Sequence, residues 1–262
     1  MPPTVLVIAG NDPSGGAGIA ADIQAITAAG AHPAPVITAL TVQDTVNASA
    51  VEPAAPGLVA AQAEAVLADM PVAAVKIGLL ATAEIATAVA EVLARYPAIP
   101  LVLDPVLVAA GGARLAEDAL VEVLLDSLCP LTTLLTPNAV EIRRLAAAAG
   151  DTDARADSLR SAGCDWVLAK GGDEPDAGLG EVVNTLYGPG APRVFRWPRL
   201  AGSFHGSGCT LASACAARIA LGDPVDTAVA EAQALVHTWL EHAFRPGHGQ
   251  LVPLRRPPSG LT

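Results

Sequence analysis

Five short stretches carry residue types suited to handling phosphate or a small polar molecule. The first is Gly10-Asn11-Asp12-Pro13-Ser14-Gly15-Gly16-Ala17-Gly18. Glycines there let the backbone approach a ligand closely. Gly16 to Ala21 has the GxGxxA spacing of a dinucleotide loop. As a Rossmann fingerprint it is weak, because several residues separate it from the apolar run before it. No acidic residue closes the second strand to take a ribose hydroxyl. On this segment alone, a plain glycine-rich turn and a substrate loop both fit. The second stretch is Phe204-His205-Gly206-Ser207-Gly208-Cys209-Thr210, ahead of a run of small helix-forming residues. Glycines before a helix N-terminus expose N–H groups that can hold an anion. Cys209 falls in the first turn, where a thiol pKa tends to drop. A tight turn with a buried, inert cysteine fits the spacing equally well. The glycines flank Ser207 too closely for a nucleophile elbow, and no GxxxxGK[ST] loop occurs.

The third stretch is Asn138-Ala139-Val140-Glu141, after Thr136-Pro137. Asn followed three residues later by Glu has the spacing of a capping box, which is the simpler reading. The same two oxygen side chains also suit the water shell of a magnesium ion. Lys170-Gly171-Gly172 and Asp104-Pro105 each close an apolar run. A lysine there can neutralise phosphate, and an aspartate can serve a metal or the electrostatics of a reaction. A solvated strand-end lysine and a turn aspartate are the plain alternatives. His32, His237, His242 and His248 show no metal-ligand spacing, and His237 with Glu241 reads as a helix-surface pair.

The elements that must position these residues follow from hydrophobic periodicity. Strands are expected over 4–9, 35–40, 72–77, 101–103, 131–135 and 166–169. Helices are expected over 19–29, 57–68, 82–95 with Thr82 as N-cap, 117–125, 140–149, 154–162, 208–220 and 224–244. Residues 41–53 read as a flap or a short pair of strands, and 182–187 and 193–197 as strands joined by turns. One domain is expected over 1–245, followed by a loosely ordered Pro/Gly-rich tail over 246–262. Alternating strands and helices indicate an α/β protein whose mostly parallel sheet is covered on both faces. Ligands of such sheets sit beyond the carboxyl ends of the strands. Asn11-Asp12, Lys76-Ile77-Gly78, Asp104-Pro105, Thr136-Pro137-Asn138 and Lys170-Gly171-Gly172 all collect there.

Composition narrows the function. The 262 residues carry 15 Lys+Arg against 26 Asp+Glu, a formal charge of −11. That balance argues against nucleic acid and anionic membrane as partners. A phosphate ligand would then need local positive potential from N–H groups, a lysine or a metal. With 52% hydrophobic and 16% charged residues the chain is globular, and 3% aromatics leave little for base stacking. Four cysteines without a CxxC pair indicate a reduced, cytoplasmic protein. The N-terminus lacks a signal-peptide pattern, and no stretch reads as a membrane span.

Taken in order, several segments resemble the hydroxymethylpyrimidine/phosphomethylpyrimidine kinases of the ribokinase-like superfamily. They are AGNDPSGGAGIAADIQ (9–24), VITALTVQDT (36–45), KIGLL (76–80), LDPV (103–106), LTPNAVEI (135–142), LAKGG (168–172) and HGSGCTLASA (205–214). The resemblance spans about residues 4–245. It implies a three-layer ribokinase-like fold and two ATP-dependent steps in thiamine biosynthesis. The first phosphorylates 4-amino-5-hydroxymethyl-2-methylpyrimidine; the second takes the monophosphate to the diphosphate. ATP and Mg2+ are the implied cofactors, and a homodimer the implied assembly. Gly206, Ser207, Gly208 and the Cys209 N–H map onto the family's anion hole. Cys209 stands where the wider superfamily has a catalytic Asp, and either activates the substrate hydroxyl as a thiolate or shapes the site. Gly10, Asp12, Ala17, Asp22, Thr41, Gln43, Leu79 and Val106 map onto the pyrimidine site. The Gln43 amide offers the ring both a donor and an acceptor. Lys170, Asn138 and Thr210 map onto ATP and phosphate contacts, and Asp104 and Glu141 onto the metal.

There are departures from the family. Ala109-Ala110-Gly111-Gly112 stands where Ala-Lys-Ser-Gly is common. That loses a cation of use for a phosphorylated substrate. Leu79 replaces a common Met, and Phe204 and Ser207 replace threonines. Two other readings stay open. A pyridoxine/pyridoxal kinase shares the Gly-Cys loop, and a non-catalytic pyrimidine sensor would explain the missing Lys-Ser.

Overall fold

Strand β1 (Thr4–Asn11) sends Val5 and Val7 to one face and Leu6 and Ile8 to the other, and all four are fully buried. A strand apolar on both faces must be covered on both sides. The computed structural model describes residues 1–107, 118–174 and 180–257 and shows how this is done. Along the chain follow α1 (Gly18–Ala28), β2 (His32–Gln43), β3 (Ala48–Pro53), α2 (Pro56–Asp69), β4 (Val72–Ile77), α3 (Ala83–Leu93) and β5 (Leu101–Leu103). Next come α4 (Asp118–Val123), β6 (Leu134–Leu135), α5 (Ala139–Leu145), α6 (Thr152–Ser161) and β7 (Trp166–Ala169). The described chain continues with β8 (Glu181–Tyr187), β9 (Arg193–Pro198), α7 (Ser207–Ala220) and α8 (Val225–Glu241).

The strands form one nine-stranded sheet in the order β3-β2-β1-β4-β5-β6-β7-β8-β9. The pairings from β2 through β1 to β7 are parallel, while β3, β8 and β9 add antiparallel edges. Leu6, Ile8 and Ile77 pack with residues of α2 to α6 on one face, whereas Val5, Val7 and Ala9 pack with α1, α7 and α8 on the other. The result is a three-layer α/β architecture, the one the resemblance implies. Alanines at 212, 214, 216 and 217 are all fully buried, so α7 lies close to the sheet and to α8. The chain moves outward from β1 to β2 and β3, then returns to the other side of β1 with β4. That reversal opens a crevice at the carboxyl ends of β1 and β4.

Strands β4, β5 and β7 match the sequence expectation to the residue. Thr82 caps α3, its side chain accepting from the Ile85 N–H. Residues 41–53 are a strand pair: β2 runs on to Gln43 and pairs antiparallel with β3. The strand expected from residue 131 shrinks to Leu134–Leu135, because a 3₁₀ turn over Cys129–Leu131, containing Pro130, occupies its start. The tail is a correction. From Gly249 to Arg256 it is tied to the rest of the fold rather than loose, through bonds to Thr45 and Trp239. Phe244 and Val252 exchange backbone hydrogen bonds of 3.0 and 2.8 Å, and Leu251 O accepts from the His205 N–H at 2.7 Å. Arg255 is 8% exposed and ties into the glycine loops described below. Pro/Gly content signals irregular backbone but not whether distant partners hold it. The Ala109-Ala110-Gly111-Gly112 departure lies outside the described residues.

Candidate active site

The crevice is a cavity of about 470 Å³, and most of the expected site residues line it. Gly10, Asp12, Ala17, Thr41, Gln43, Leu79 and Val106 line it, as do Asp104, Asn138, Glu141 and Lys170. Gly206, Ser207, Gly208 and Cys209 line it from the start of α7.

Asp12 organises the first glycine loop. Its carboxylate accepts from the Ser14 N–H (2.8 Å), the Ser14 hydroxyl (2.9 Å), the Ala17 N–H (2.8 Å) and His205 Nε2 (2.7 Å). Burial alone would raise its pKa, but the hydrogen bonds from His205, Ser14 and Ala17 prevail and hold it below the usual value. Gly10 faces Leu79, whose Cδ2 would stand 2.9 Å from an added Cβ.

Gly206 starts α7 in the left-handed region, with φ 74° and ψ 16°. The N–H groups of Ser207, Gly208 and Cys209 are in the first turn, where no intrahelical carbonyl is available. The helix dipole adds positive potential at the same point. Lys170 joins them: a Cβ on Gly208 would lie 3.1 Å from its ammonium. Lys170 pairs with Asp104 at 2.9 Å, and Asp104 also accepts from the Thr136 hydroxyl at 3.1 Å. Burial opposes both charges, but the pairing wins: Lys170 is held above its usual pKa and Asp104 below.

The chain contains two lysines, and both line this cavity. Lys76 is fully buried on β4, with its ammonium 2.9 Å from each oxygen of Asp22. Asp22 also accepts from Ser213 at 2.7 Å. Burial works against the Lys76 charge, and Asp22 outweighs it, so the ammonium is held above its usual pKa. Gly78 leaves room for that ammonium, which would lie 2.8 Å from an added Cβ. A chain with a formal charge of −11 thus concentrates its lysines and a helix N-terminus on one cavity.

Cys209 does not behave as its place in the helix suggests. Burial, then the negative field of Asp104 and Asp22, outweigh Lys76 and push the thiol up to about 11. It is a neutral thiol at pH 7. Asn138 and Glu141 form the capping box: Asn138 Oδ1 accepts from the Val140 and Glu141 N–H groups, and Glu141 accepts from the Asn138 N–H at 2.8 Å. Both residues also line the cavity. Burial and nearby Asp104, against Lys170, push Glu141 up to about 7.

Two expected site residues do not reach the cavity. Asp22 is fully buried behind Lys76 and committed to it and to Ser213. Thr210 is fully buried; its hydroxyl donates to Gly206 O at 2.6 Å and accepts from Arg255 Nε at 2.9 Å. Sequence reasoning assigned no role to Lys76, His205 or Arg255. The lysine count was the available signal for Lys76. Arg255 also donates to Gly16 O at 2.6 Å and Gln24 at 3.2 Å, bracing both glycine loops from the tail.

The family profile described as Phosphomethylpyrimidine kinase matches residues 12–254, reaching into the tail. A hydroxymethylpyrimidine/phosphomethylpyrimidine kinase from Synechococcus elongatus is 40% identical over 253 residues, covering 95% of each chain. The thiamine biosynthesis bifunctional protein ThiED from Geobacter sulfurreducens is 40% identical over 94% of this chain, which spans 51% of that protein. Among solved structures, a Staphylococcus aureus pyridoxal kinase in complex with AMP-PCP and pyridoxal superposes with a TM-score of 0.86 at 27% identity. That match covers 97% of this chain and 94% of the other. By the profile match and the full-length identity, the chain belongs to the phosphomethylpyrimidine kinase family of phosphotransferases.

Proposed function

We propose that the protein uses ATP to phosphorylate 4-amino-5-hydroxymethyl-2-methylpyrimidine, and then the monophosphate to the diphosphate, in thiamine biosynthesis. The observation that carries this reading is the convergence of the α7 N-terminus, Lys170 and Lys76 on one cavity, beside the amide of Gln43. Phosphoryl transfer needs charge neutralisation and in-line positioning more than covalent help. In this reading Gln43 and Thr41 hold the ring, and the hydroxymethyl group points to Cys209. The N–H groups of Ser207, Gly208 and Cys209 receive the transferred phosphoryl group, and Lys170 balances charge on the nucleotide side. Val236 and Leu240, which also line the cavity, offer apolar surface to the nucleotide base. Cys209, as a thiol, shapes the pocket and bounds the hydroxyl rather than drawing off its proton in advance. A loose transition state tolerates that: the bond from phosphorus to the bridging oxygen of ADP breaks first, and the hydroxyl proton passes to an oxygen of the transferred phosphoryl group as the new phosphorus–oxygen bond forms and ADP departs.

The donor set fits magnesium bound mostly by phosphate and water. Asp104 and Glu141 supply hard oxygens, and among the described residues no group of three or more His, Cys, Asp or Glu forms a cage for a metal. When bound, the ion neutralises phosphate charge. Asp104 and Glu141 would hold it, with Asn138 fixing Glu141 through the cap.

A homodimer is part of the proposal. Leu40, Val42 and Val46 are large, exposed apolar side chains on β2 and the turn after it, and offer a surface for a second copy. Light scattering on the eluting protein would check this. Among the described residues no helix is long and apolar enough to cross a membrane. A cytoplasmic setting is also part of the proposal, resting on the sequence pattern of four cysteines without a CxxC pair.

The likeness to a pyridoxal kinase supports a second reading, in which pyridoxal is the acceptor. Steady-state turnover of both alcohols with MgATP separates the two. A larger kcat/KM for the pyrimidine is expected. A wide preference for pyridoxal would overturn the first reading, and binding of the pyrimidine without ADP release would point to a sensor.

A further inference from the structure

His205 is 3% exposed, and its ring packs against Gly16, where an added Cβ would come within 2.2 Å of the imidazole Cδ2. Its Nε2 lies 2.7 Å from Asp12 Oδ2 and 3.2 Å from the nearer terminal atom of the Gln43 amide. Two contacts on one nitrogen fix where the hydrogens are. Asp12 already accepts from the Ser14 and Ala17 N–H groups and is an acceptor only, so Nε2 donates to it. A protonated Nε2 has no lone pair with which to accept from Gln43. The Gln43 atom facing it is therefore the amide oxygen, since a half-turn of the amide exchanges oxygen and nitrogen at the same heavy-atom positions.

The amide nitrogen then faces Thr41 Oγ1 at 3.2 Å and donates to it, and the Thr41 hydroxyl passes its own hydrogen to Asn11 O at 2.9 Å. In this orientation each hydrogen along Asp12, His205, Gln43, Thr41 and Asn11 has an acceptor, the Nε2 hydrogen being shared between Asp12 and the Gln43 oxygen. In the other, the Thr41 hydrogen is the shared one, and Nε2 would have to donate to Asp12 and accept from Gln43 at once, which one ring nitrogen cannot do. His205 Nδ1 is buried with no partner, which suits the bare lone pair of the Nε2–H tautomer better than an orphaned N–H. One N–H and one oxygen lone pair of Gln43 remain for the cavity.

We propose that His205 is a specificity-determining positioning residue that locks the Gln43 amide in one orientation. The site then accepts a ring edge presenting an acceptor nitrogen beside an exocyclic amine. It rejects the complementary edge, an N–H beside a carbonyl, because two donors and two acceptors would face each other. This rests on the kinase reading above for its substrate but not for the lock itself.

The test compares kcat/KM for 4-amino-5-hydroxymethyl-2-methylpyrimidine and its 4-oxo analogue in the wild type, His205→Leu and His205→Gln. The wild type should strongly prefer the amine. His205→Leu frees the amide to turn, and the preference should narrow by about tenfold or more. His205→Gln restores an N–H toward Asp12 and should keep it. An unchanged preference in His205→Leu would overturn the proposal. A second readout needs neither substrate nor variant: ring ¹⁵N shifts of His205 in the free protein. Protonated Nε2 with bare Nδ1 is expected, and protonated Nδ1 with bare Nε2 would overturn the lock. Wild-type protein that turns over neither pyrimidine would reject the kinase reading and leave the nitrogen shifts to decide the lock.

Discussion

Replacing Gly206 by alanine asks whether the geometry of the α7 start carries the reaction. At φ 74° an L side chain strains the backbone, at a cost of about 1–2 kcal/mol. The added Cβ would also stand 2.0 Å from Gly16 O and 2.8 Å from Ala17 Cα. Both contacts are backbone, so one loop must retreat by roughly 1 Å or more to restore ordinary separation. These loops flank the proposed position of the transferred group, and a misplacement of that size is worth about 10²-fold in rate. Gly222 supplies the control. It follows the other end of the same helix at φ 99°, and a Cβ there meets nothing within 4 Å. Gly222→Ala should therefore lose about 1–2 kcal/mol of stability with kcat unchanged. Gly206→Ala should lose at least as much stability and about 10²-fold in kcat. Denaturant midpoints and initial rates of ADP release at saturating substrates measure both. A Gly206→Ala enzyme with wild-type kcat would refute the dependence on loop placement, whatever its stability.

Other consequences are as specific. Cys209 at about 11 is almost wholly a thiol at pH 8. Its alkylation, followed by mass spectrometry, should be about 10²-fold slower than that of a free cysteine with pKa about 8.5; reaction at the free-cysteine rate would restore the thiolate base. Glu141 titrates at about 7 in the folded chain against 4.5 for the free group. The folded state binds the extra proton between those values, so stability falls as pH rises through that window. Glu141→Gln keeps the cap acceptor and should gain over wild type by up to about 3 kcal/mol at pH 8, little of it at pH 5, while MgATP turnover drops. A melting difference equal at both pH values would contradict the shift. Arg255→Leu removes the tail's bonds to Gly16, Gln24 and Thr210. It should lower both stability, by about 1–3 kcal/mol, and kcat; wild-type values for both would mean the tail is incidental.

Much of the fold was legible because β4, β5 and β7 are short apolar runs bounded by turn residues, as strands buried on both faces must be. The same logic brought Asp104, Asn138, Lys170 and the first glycine loop to one end of the sheet, where they line the cavity. What failed was whatever depended on distant partners. Asp22 sits one helical turn after Gly18, a plausible place for a ligand contact, but the pairing of β1 with β4 delivers Lys76 to it first. Thr210 looked like a phosphate contact, yet its hydroxyl turns back to Gly206 O and receives Arg255 from 45 residues away. His205 stood in plain view without a role, since its partners Asp12 and Gln43 lie 193 and 162 residues distant. Local pattern places a helix start. It does not tell which distant charges surround the thiol there, which is why Cys209 is raised where the helix alone would lower it.

The most direct test of the proposed chemistry is mass analysis of the product formed from MgATP and 4-amino-5-hydroxymethyl-2-methylpyrimidine, with ADP followed in parallel. One ADP released for each phosphoryl group gained, first to the monophosphate and then to the diphosphate, is the expected result. ADP at the background rate, with the pyrimidine recovered unchanged, would contradict it.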